Sequence, residues 1–493
     1  MRLEPGVGWG EAKLGTTRRE LVKAFGQPSN TTDDEEHSIS TWESQGLRVA
    51  FSLETKKAEW IELRPPAQVS DLTFDLSEDE VLDVQGEAIE TRRNDDRVEL
   101  EFNGLTAHLA GDRVERLVIS ALRELRDNEK KITNPELEAA IVASPEDRAP
   151  VLVFADWLTQ EGHARGALIT EHASGATIDD RPDLELLGPG LGPLGDMLTH
   201  RAWRLGFLEK VTVASNFDRS PNHDGKLEDV TVSEVLHMLL DGSLAGRFLR
   251  ELTLGISTFE SNDYGAEMLV IGERPRPLLR SLFIGDFQRE ETELNWSNLG
   301  DAGVMWKALP NLREVTLRSG TMQLGELVLP ELRSFTTLTG GLQKPELASI
   351  ARAHWPKLER LDLQIGSDRY GSDCALEDFA PLLEGKGIPP SVKHLAFANS
   401  ELADGLVPML AESRVLEQLE KLDLSRGTFG QEGAEAMIAA KDRFAHLKLI
   451  DLSESWLSPE MEKRVREAFP QAVTFEQQWD ERYPGDRYIA AGE

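Results

Sequence analysis

FLEKVTV at residues 207–213 returns as FLRELTL at 248–254, LLRSLFI at 278–284, NLREVTL at 311–317 and ELRSFTT at 331–337. The phrase continues as KLERLDL at 357–363, SVKHLAF at 391–397, QLEKLDL at 418–424 and HLKLIDL at 446–452. From the second copy on, its central apolar residue falls at Leu252, Leu282, Val315, Phe335, Leu361, Leu395, Leu422 and Ile450, in steps of 26 to 34 residues with one short step of 20. Steps of that size are a repeat period. Within each phrase the last apolar residues alternate with exposed positions, as in a strand that buries one face. Between phrases lie stretches with helical spacing: EVLHMLL, DAGVMWKAL, PELASIARAHW and EGAEAMIAAKDRF. One strand and one helix cannot bury their apolar faces alone, whereas stacked units share a continuous core.

The pattern resembles the leucine-rich repeat in its long, helix-containing, ribonuclease-inhibitor-like form. Leu422-Asp423-Leu424-Ser425 followed by Gly430, Gly433-Ala434 and Ala436-Met437 is the best match, and Asn298-Leu299-Gly300-Asp301-Ala302-Gly303 echoes the same turn into a helix. Asn216 and Asn399 stand where that family places an asparagine after the strand, while Gly255, Arg318 and Ser425 occupy comparable neighbourhoods elsewhere. The resemblance implies an α/β fold, a curved solenoid over residues 206–475. It implies no particular partner, because such repeats bind many unrelated ones.

Working outward, residues 1–125 form an expected α+β domain with an internal duplication. TRRELVKAFGQP at 17–28 answers SEDEVLDVQGEA at 77–88, QGLRVAFS at 45–52 answers NGLTAHLA at 103–110, and KKAEWIEL at 56–63 answers DRVERLVI at 112–119. Each copy reads as a helix closed by Gly26 or Gly86 and followed by a three-strand meander. The carboxylates at Asp33 to Glu36 and at Asp95-Asp96 sit in predicted loops without a convergent His or Lys, which reads as solvated charge.

Residues 126–205 read as a helical connector. Pro145-Glu146-Asp147, Ala155-Asp156-Trp157-Leu158, Gly162 and Arg165-Gly166 resemble a short repeat-companion motif found before solenoid repeats in large bacterial paralogue sets, particularly of myxobacteria and planctomycetes. Trp157 is expected in the core of a helical hairpin, and Trp203 where that hairpin meets the first repeat. GPGLGPLGD at 188–196 contains Gly190, Gly192 and Gly195 in a G-x-G-x-x-G spacing, but DLELL before it reads as helix, so it is a connector and not a dinucleotide fingerprint. The tail 476–493 leaves the repeat pattern, and Trp479, Tyr483 and Tyr488 are expected to fold back as a cap.

Composition narrows the function. The formal net charge of −33 over 493 residues repels phosphate backbones, and with no local basic patch visible in the linear sequence a nucleic-acid role is not expected. Cys374 is the only cysteine, so neither an intrachain disulfide nor a thiolate metal cluster can form. No apolar run reaches membrane-spanning length and no signal sequence opens the chain, giving the expectation of a soluble, cytoplasmic protein.

No catalytic constellation stands out. The sequence contains no H-E-x-x-H, G-x-S-x-G or Walker motif, the loop at 215–229 lacks the acidic twelfth position of a calcium loop, and Cys374 with His394 lacks an orienting third group. No enzyme activity, cofactor or metal is expected. The middle outward-facing position of the phrases reads Thr212, Thr253, Phe283, Thr316, Thr336, Asp362, Ala396, Asp423 and Asp451. From that row Thr253, Phe283, Thr316, Asp362, Asp423 and Asp451 are the candidate partner contacts. The aspartates favour a protein partner with a basic surface. The resemblance adds adaptors, sensors or immunity factors of bacterial conflict and signalling systems. The alternative is a substrate or regulator of a dedicated protease or toxin, cut or bound at the polar loop 366–378.

Overall fold

The computed structural model describes residues 132–179, 181–215, 230–258, 262–482 and 486–490, and before residue 132 the strands named below with residues 21, 24, 28 and 29. The chain divides into two units, Met1–Ile132 and Thr133–Glu493.

The first unit holds a small antiparallel sheet of Leu3–Glu4, Gly8–Trp9 and Ala12–Lys13, and an eight-stranded one. The larger sheet is two antiparallel meanders, Asn30–Asp33, His37–Trp42, Leu47–Ser52 and Ala58–Leu63, then Glu90–Asn94, Arg97–Phe102, Leu105–Ala110 and Arg113–Ser120. The last strand of each meander pairs with the other, Leu63 opposite Leu117 and Trp60 opposite Ser120. Each meander has four strands where the sequence reading gives three. The extra strand, NTTD in the first and ETRRN in the second, is polar and carries no apolar alternation. The expected helix over 77–88 and Asp95-Asp96 lie outside the described residues. So does most of 17–28, of which Leu21 and Ala24 are helical.

The second unit begins with helices Pro135–Ala143, Ala149–Gln160, Arg165–Ala173 and Asp183–Leu191. Asn134 caps the first, its side-chain oxygen accepting from Leu137 N–H at 3.2 Å, one of the donors that every helix start leaves unsatisfied. The second and third touch because Gly166 has no Cβ. One built there would meet Ala155 O at 2.6 Å. The aromatic at the centre of this block is Phe154, fully buried, with ring centroids 5.3 Å from Trp157, 6.2 Å from Phe207 and 5.9 Å from Phe248. Trp157 is only half-buried, which corrects the expectation that it forms this core, while Trp203, also half-buried, packs against Leu168, Ile178 and Leu186 and against the core under the first strands. Helical spacing places 154 and 158 together on the inner face and turns 157 to its rim.

An eleven-stranded sheet follows. Leu198–Arg204 runs antiparallel to Phe207–Val213, and every later neighbour is parallel. The successive strands are Glu251–Leu254, Ser281–Ile284, Glu314–Arg318, Ser334–Leu338, Arg360–Gly366, His394–Ser400, Lys421–Asp423, Leu449–Asp451 and Ala472–Val473, in sequence order across the sheet. Val211, Leu252, Leu282, Val315, Phe335, Leu361, Leu395, Leu422 and Ile450 lie side by side in one register and are buried. They join one continuous apolar core from Leu187 to Phe469.

The connections differ in kind. Lys344–Ala351, Ala403–Glu412, Gln431–Ala439 and Pro459–Ala468 are α-helices. DAGVMWKAL, expected to be helical, instead forms two single 3₁₀ turns, Ala302–Val304 and Trp306–Ala308. Its connection to the next strand is short, and Gly303 weakens a longer helix. In the step of 20 residues a strand, Thr321–Gln323, takes the helix's place and pairs with Ser297–Asp301, itself paired with Asn262–Asp263, in a second small sheet. At the far end Tyr488 closes on Trp456, centroids 4.8 Å apart, and Arg487 pairs with Asp404 at 2.6 Å. Tyr483 lies outside the described residues, and Trp479 is half-buried.

Candidate functional site

Because strand side chains alternate, the residues between the buried ones form the other face of the sheet. Thr212, Thr253, Phe283, Thr316, Thr336, Asp362, Ala396, Asp423 and Asp451 are consecutive register partners there. All six candidate contacts therefore lie in one row, each half-buried. The three aspartates differ chemically. Asp362 is paired with Arg360, whose Nε donates at 2.5 Å, and with His394, whose Nε2 lies 3.1 Å from the carboxylate. Burial pushes the Asp362 carboxyl up, but His394 and Arg360 outweigh it and hold it below the usual value. Asp423 and Asp451 have no cation partner among the described residues. Each accepts a backbone N–H two residues on, from Ser425 at 2.8 Å and Ser453 at 2.9 Å. Burial pushes the Asp423 carboxyl up, with Asp451 and Asp362 pushing the same way against the hydrogen bonds from Ser425. The row's aspartates are thus two carboxylates without a cation, Asp423 and Asp451, and, across Ala396, one that is paired, Asp362.

The residue preceding each of these strands forms a second row, which the sequence reading overlooked. Arg250 N–H donates to Glu209 O, Arg280 N–H to Arg250 O, Arg313 N–H to Arg280 O and Arg333 N–H to Arg313 O, all between 2.7 and 3.0 Å. The row continues through Glu359, Lys393, Glu420 and Lys448 by the same bond. Neighbouring strands are about 4.8 Å apart, so four arginines that are 20 to 33 residues apart in the chain become adjacent. Three of them are ion-paired, Arg250 and Arg280 with Glu146 and Arg333 with Glu359. The signal was in the third position of four successive phrases, FLR, LLR, NLR and ELR.

Glu146, from the Pro145-Glu146-Asp147 turn, sits at one end of the row. Its carboxylate is 2.9 Å from Arg250, 2.7 Å from Arg280 and 3.7 Å from Arg204. Hydrogen bonds from Arg280 and then Arg250 hold the Glu146 carboxyl below its ordinary range. Pro145 O accepts a further bond from Arg250. Arg165 is buried and donates to Gly206 O at 2.8 Å and Leu186 O at 2.6 Å, tying the helices to the first strand turn. A small cleft lined by Pro145, Phe207, Phe248 and Leu278 has room for water.

The remaining motifs resolve as structure. Gly190, Gly192 and Gly195 span a helix end and a 3₁₀ segment, and Gly195 is needed where a Cβ would meet Asp183. Residues 216–229 of the acidic loop lie outside the described residues, and Thr231 caps helix Val232–His237 in a reciprocal pair with Glu234. Cys374 donates to Leu342 O at 3.3 Å, and burial pushes its thiol up to about 12, the opposite of what a nucleophile needs. In loop 366–378, Asp368, Arg369, Gly371 and Asp373 are exposed, while Ser372 Oγ donates to Leu342 O and Asp373 accepts from Lys344 N–H. His237, Asp241 and Glu273 bring possible metal-ligand atoms within 4.8 Å of one another, but both Asp241 oxygens already accept from Arg276, at 2.6 and 2.7 Å. Among the described residues no helix is long and apolar enough to cross a membrane.

No family model and no curated protein matches this chain. Among solved structures, a Bacteroides fragilis protein from a structural genomics programme is similar over 80% of this chain and 95% of its own, with 22% identity and a TM-score of 0.49. A cysteine-rich secretory protein from Staphylococcus aureus is similar over 26% of this chain and 57% of its own, with 11% identity and a TM-score of 0.18. Neither score carries an argument about this chain.

Proposed function

We propose that the parallel sheet with its flanking helices is a curved leucine-rich-repeat solenoid of the ribonuclease-inhibitor-like kind, and that it is a non-enzymatic scaffold for recognising a protein partner. The observation that carries this reading is the single register of the open-face row, from Thr253 and Phe283 through Thr316 to Asp362, Asp423 and Asp451. A row of half-buried side chains on a fixed backbone presents a partner with a surface that pays little ordering entropy on binding. Asp423 and Asp451, lacking cations of their own, suit a basic group on the partner, and Phe283 suits an apolar one.

The test uses the full chain as bait in lysate of its native host, beside Asp423→Asn/Asp451→Asn and Phe283→Ala variants. A protein retained by the parent and lost by either variant supports the reading and says which half it uses. Identical retention by all three removes the open face as the site.

A further inference from the structure

We propose that the arginine row Arg250, Arg280, Arg313 and Arg333 is a binding site for an acidic peptide segment, one end of which is occupied in the free protein by its own Glu146. The proposal goes beyond the scaffold reading and does not depend on the open-face row. It rests on where charge is balanced within the row and where it is not.

From Glu359 onward the row alternates in sign, Glu359, Lys393, Glu420, Lys448, and Lys448 pairs with Glu420 at 2.8 Å. Before Glu359 the row holds four arginines and no acid back to Glu209. Like charges on adjacent strands are destabilising unless something neutralises them. At one end Arg333 turns to Glu359 at 3.0 Å. At the other, Arg250 and Arg280 converge on Glu146, with Glu209 3.8 Å from Arg250. Arg313, in the middle, is exposed and has no ion-pair partner among the described residues. A carboxylate ligand already fills one end of this row, so the geometry for binding such a group is present. The Arg280 side chain is 25% exposed and that of Arg250 only 9%, so an incoming acidic side chain reaches this end of the row through Arg280.

The ligand class follows from scale and field. Guanidinium forks match carboxylates in pairs. A nucleic acid would bring dense phosphate charge against a protein of net charge −33. A short acidic segment brings a few carboxylates at the spacing of side chains.

The test is fluorescence anisotropy of a labelled hexaglutamate peptide on the full chain at low salt. Binding is expected, even though the global charge opposes it. Arg313→Ala should weaken it about fivefold, as befits the loss of a charge-assisted contact, while Lys448→Ala, at the self-paired end, should leave it unchanged. Glu146→Gln should tighten it about threefold by freeing Arg280. Absence of hexaglutamate binding, or equal binding to Arg313→Ala and Lys448→Ala, overturns the site. An unchanged affinity in Glu146→Gln overturns the occupancy by Glu146. A single-stranded oligonucleotide that displaces hexaglutamate from the parent would assign the row to nucleic acid instead.

Discussion

Glu267 shows how far a single side chain departs from what its type implies. It sits in helix Gly265–Gly272, 2% exposed, and accepts from the Ser257 hydroxyl at 2.8 Å. Burial pushes its carboxyl up to about 7 from 4.5; the Ser257 hydrogen bond opposes this, and nearby Asp263 adds to it. Between those two values the folded chain keeps a proton that the unfolded chain has lost. The stabilisation from neutral Glu267 is therefore complete below about pH 4.5 and is lost as pH rises through about 7, at a slope of no more than about 1.4 kcal/mol per pH unit. Glu267→Gln should flatten that slope and be the more stable form at about pH 8; parallel slopes for parent and variant in thermal unfolding would refute it. Phe154 makes the same point about helix Ala149–Gln160. Its Ala-Asp-Trp-Leu run draws attention to Trp157, but periodicity alone could not say that the tryptophan lies at the rim. Phe154→Ala should cost about 3–5 kcal/mol and Trp157→Ala clearly less, read from urea midpoints. The arginine row was legible in principle, since the third phrase position repeats, whereas Glu146 meeting it was not, because no local pattern encodes a contact across 104 residues of sequence, the separation from Arg250.

At the scale of elements, the strands were readable because each must bury its central apolar residue in a common register. The connections were less so. A helix, a pair of 3₁₀ turns and a short strand all satisfy the same need to cover the core, and the length between phrases decides which fits. Glycines mark where backbones must approach. Gly366 ends its strand at φ 79°, and a Cβ there would sit 1.7 Å from Gly340 O, while Gly371, at φ 95° in the loop that follows, has nothing within 4 Å. Gly371→Ala should cost only the left-handed penalty of about 1–2 kcal/mol, and Gly366→Ala must add a backbone displacement to it. Equal losses in the two variants would mean that the approach of 340 to 366 is not fixed. The same comparison bears on loop 366–378, which is anchored at Gly366, Ser372 and Asp373 and so offers a protease exposed residues on a tethered backbone.

For the whole molecule, the governing quantity is charge. Excess acid is visible in composition, but its distribution is not. Many ion pairs are exposed, such as Lys357 with Glu331 and Lys448 with Glu420, and pairs of that kind contribute about 0–1 kcal/mol each. A few are sheltered, such as Arg276 with Asp241, the carboxylate side chain being 3% exposed. Against them stands the mutual repulsion of a formal net charge of −33, which acts over the whole surface and opposes the compact state. Raising monovalent salt from about 0.01 M to about 0.15 M shortens the screening length from about 30 Å to about 8 Å. Long-range repulsion fades over that range, whereas contacts of 3 Å barely change. The thermal midpoint should therefore rise with salt, while hexaglutamate affinity, which depends on arginines open to solvent, should fall. The opposite signs separate the two effects in one protein. A midpoint that falls with salt would show that the local ion pairs, including those gathered at Glu146, outweigh the net repulsion, and that the acidic surface contributes to holding the fold together.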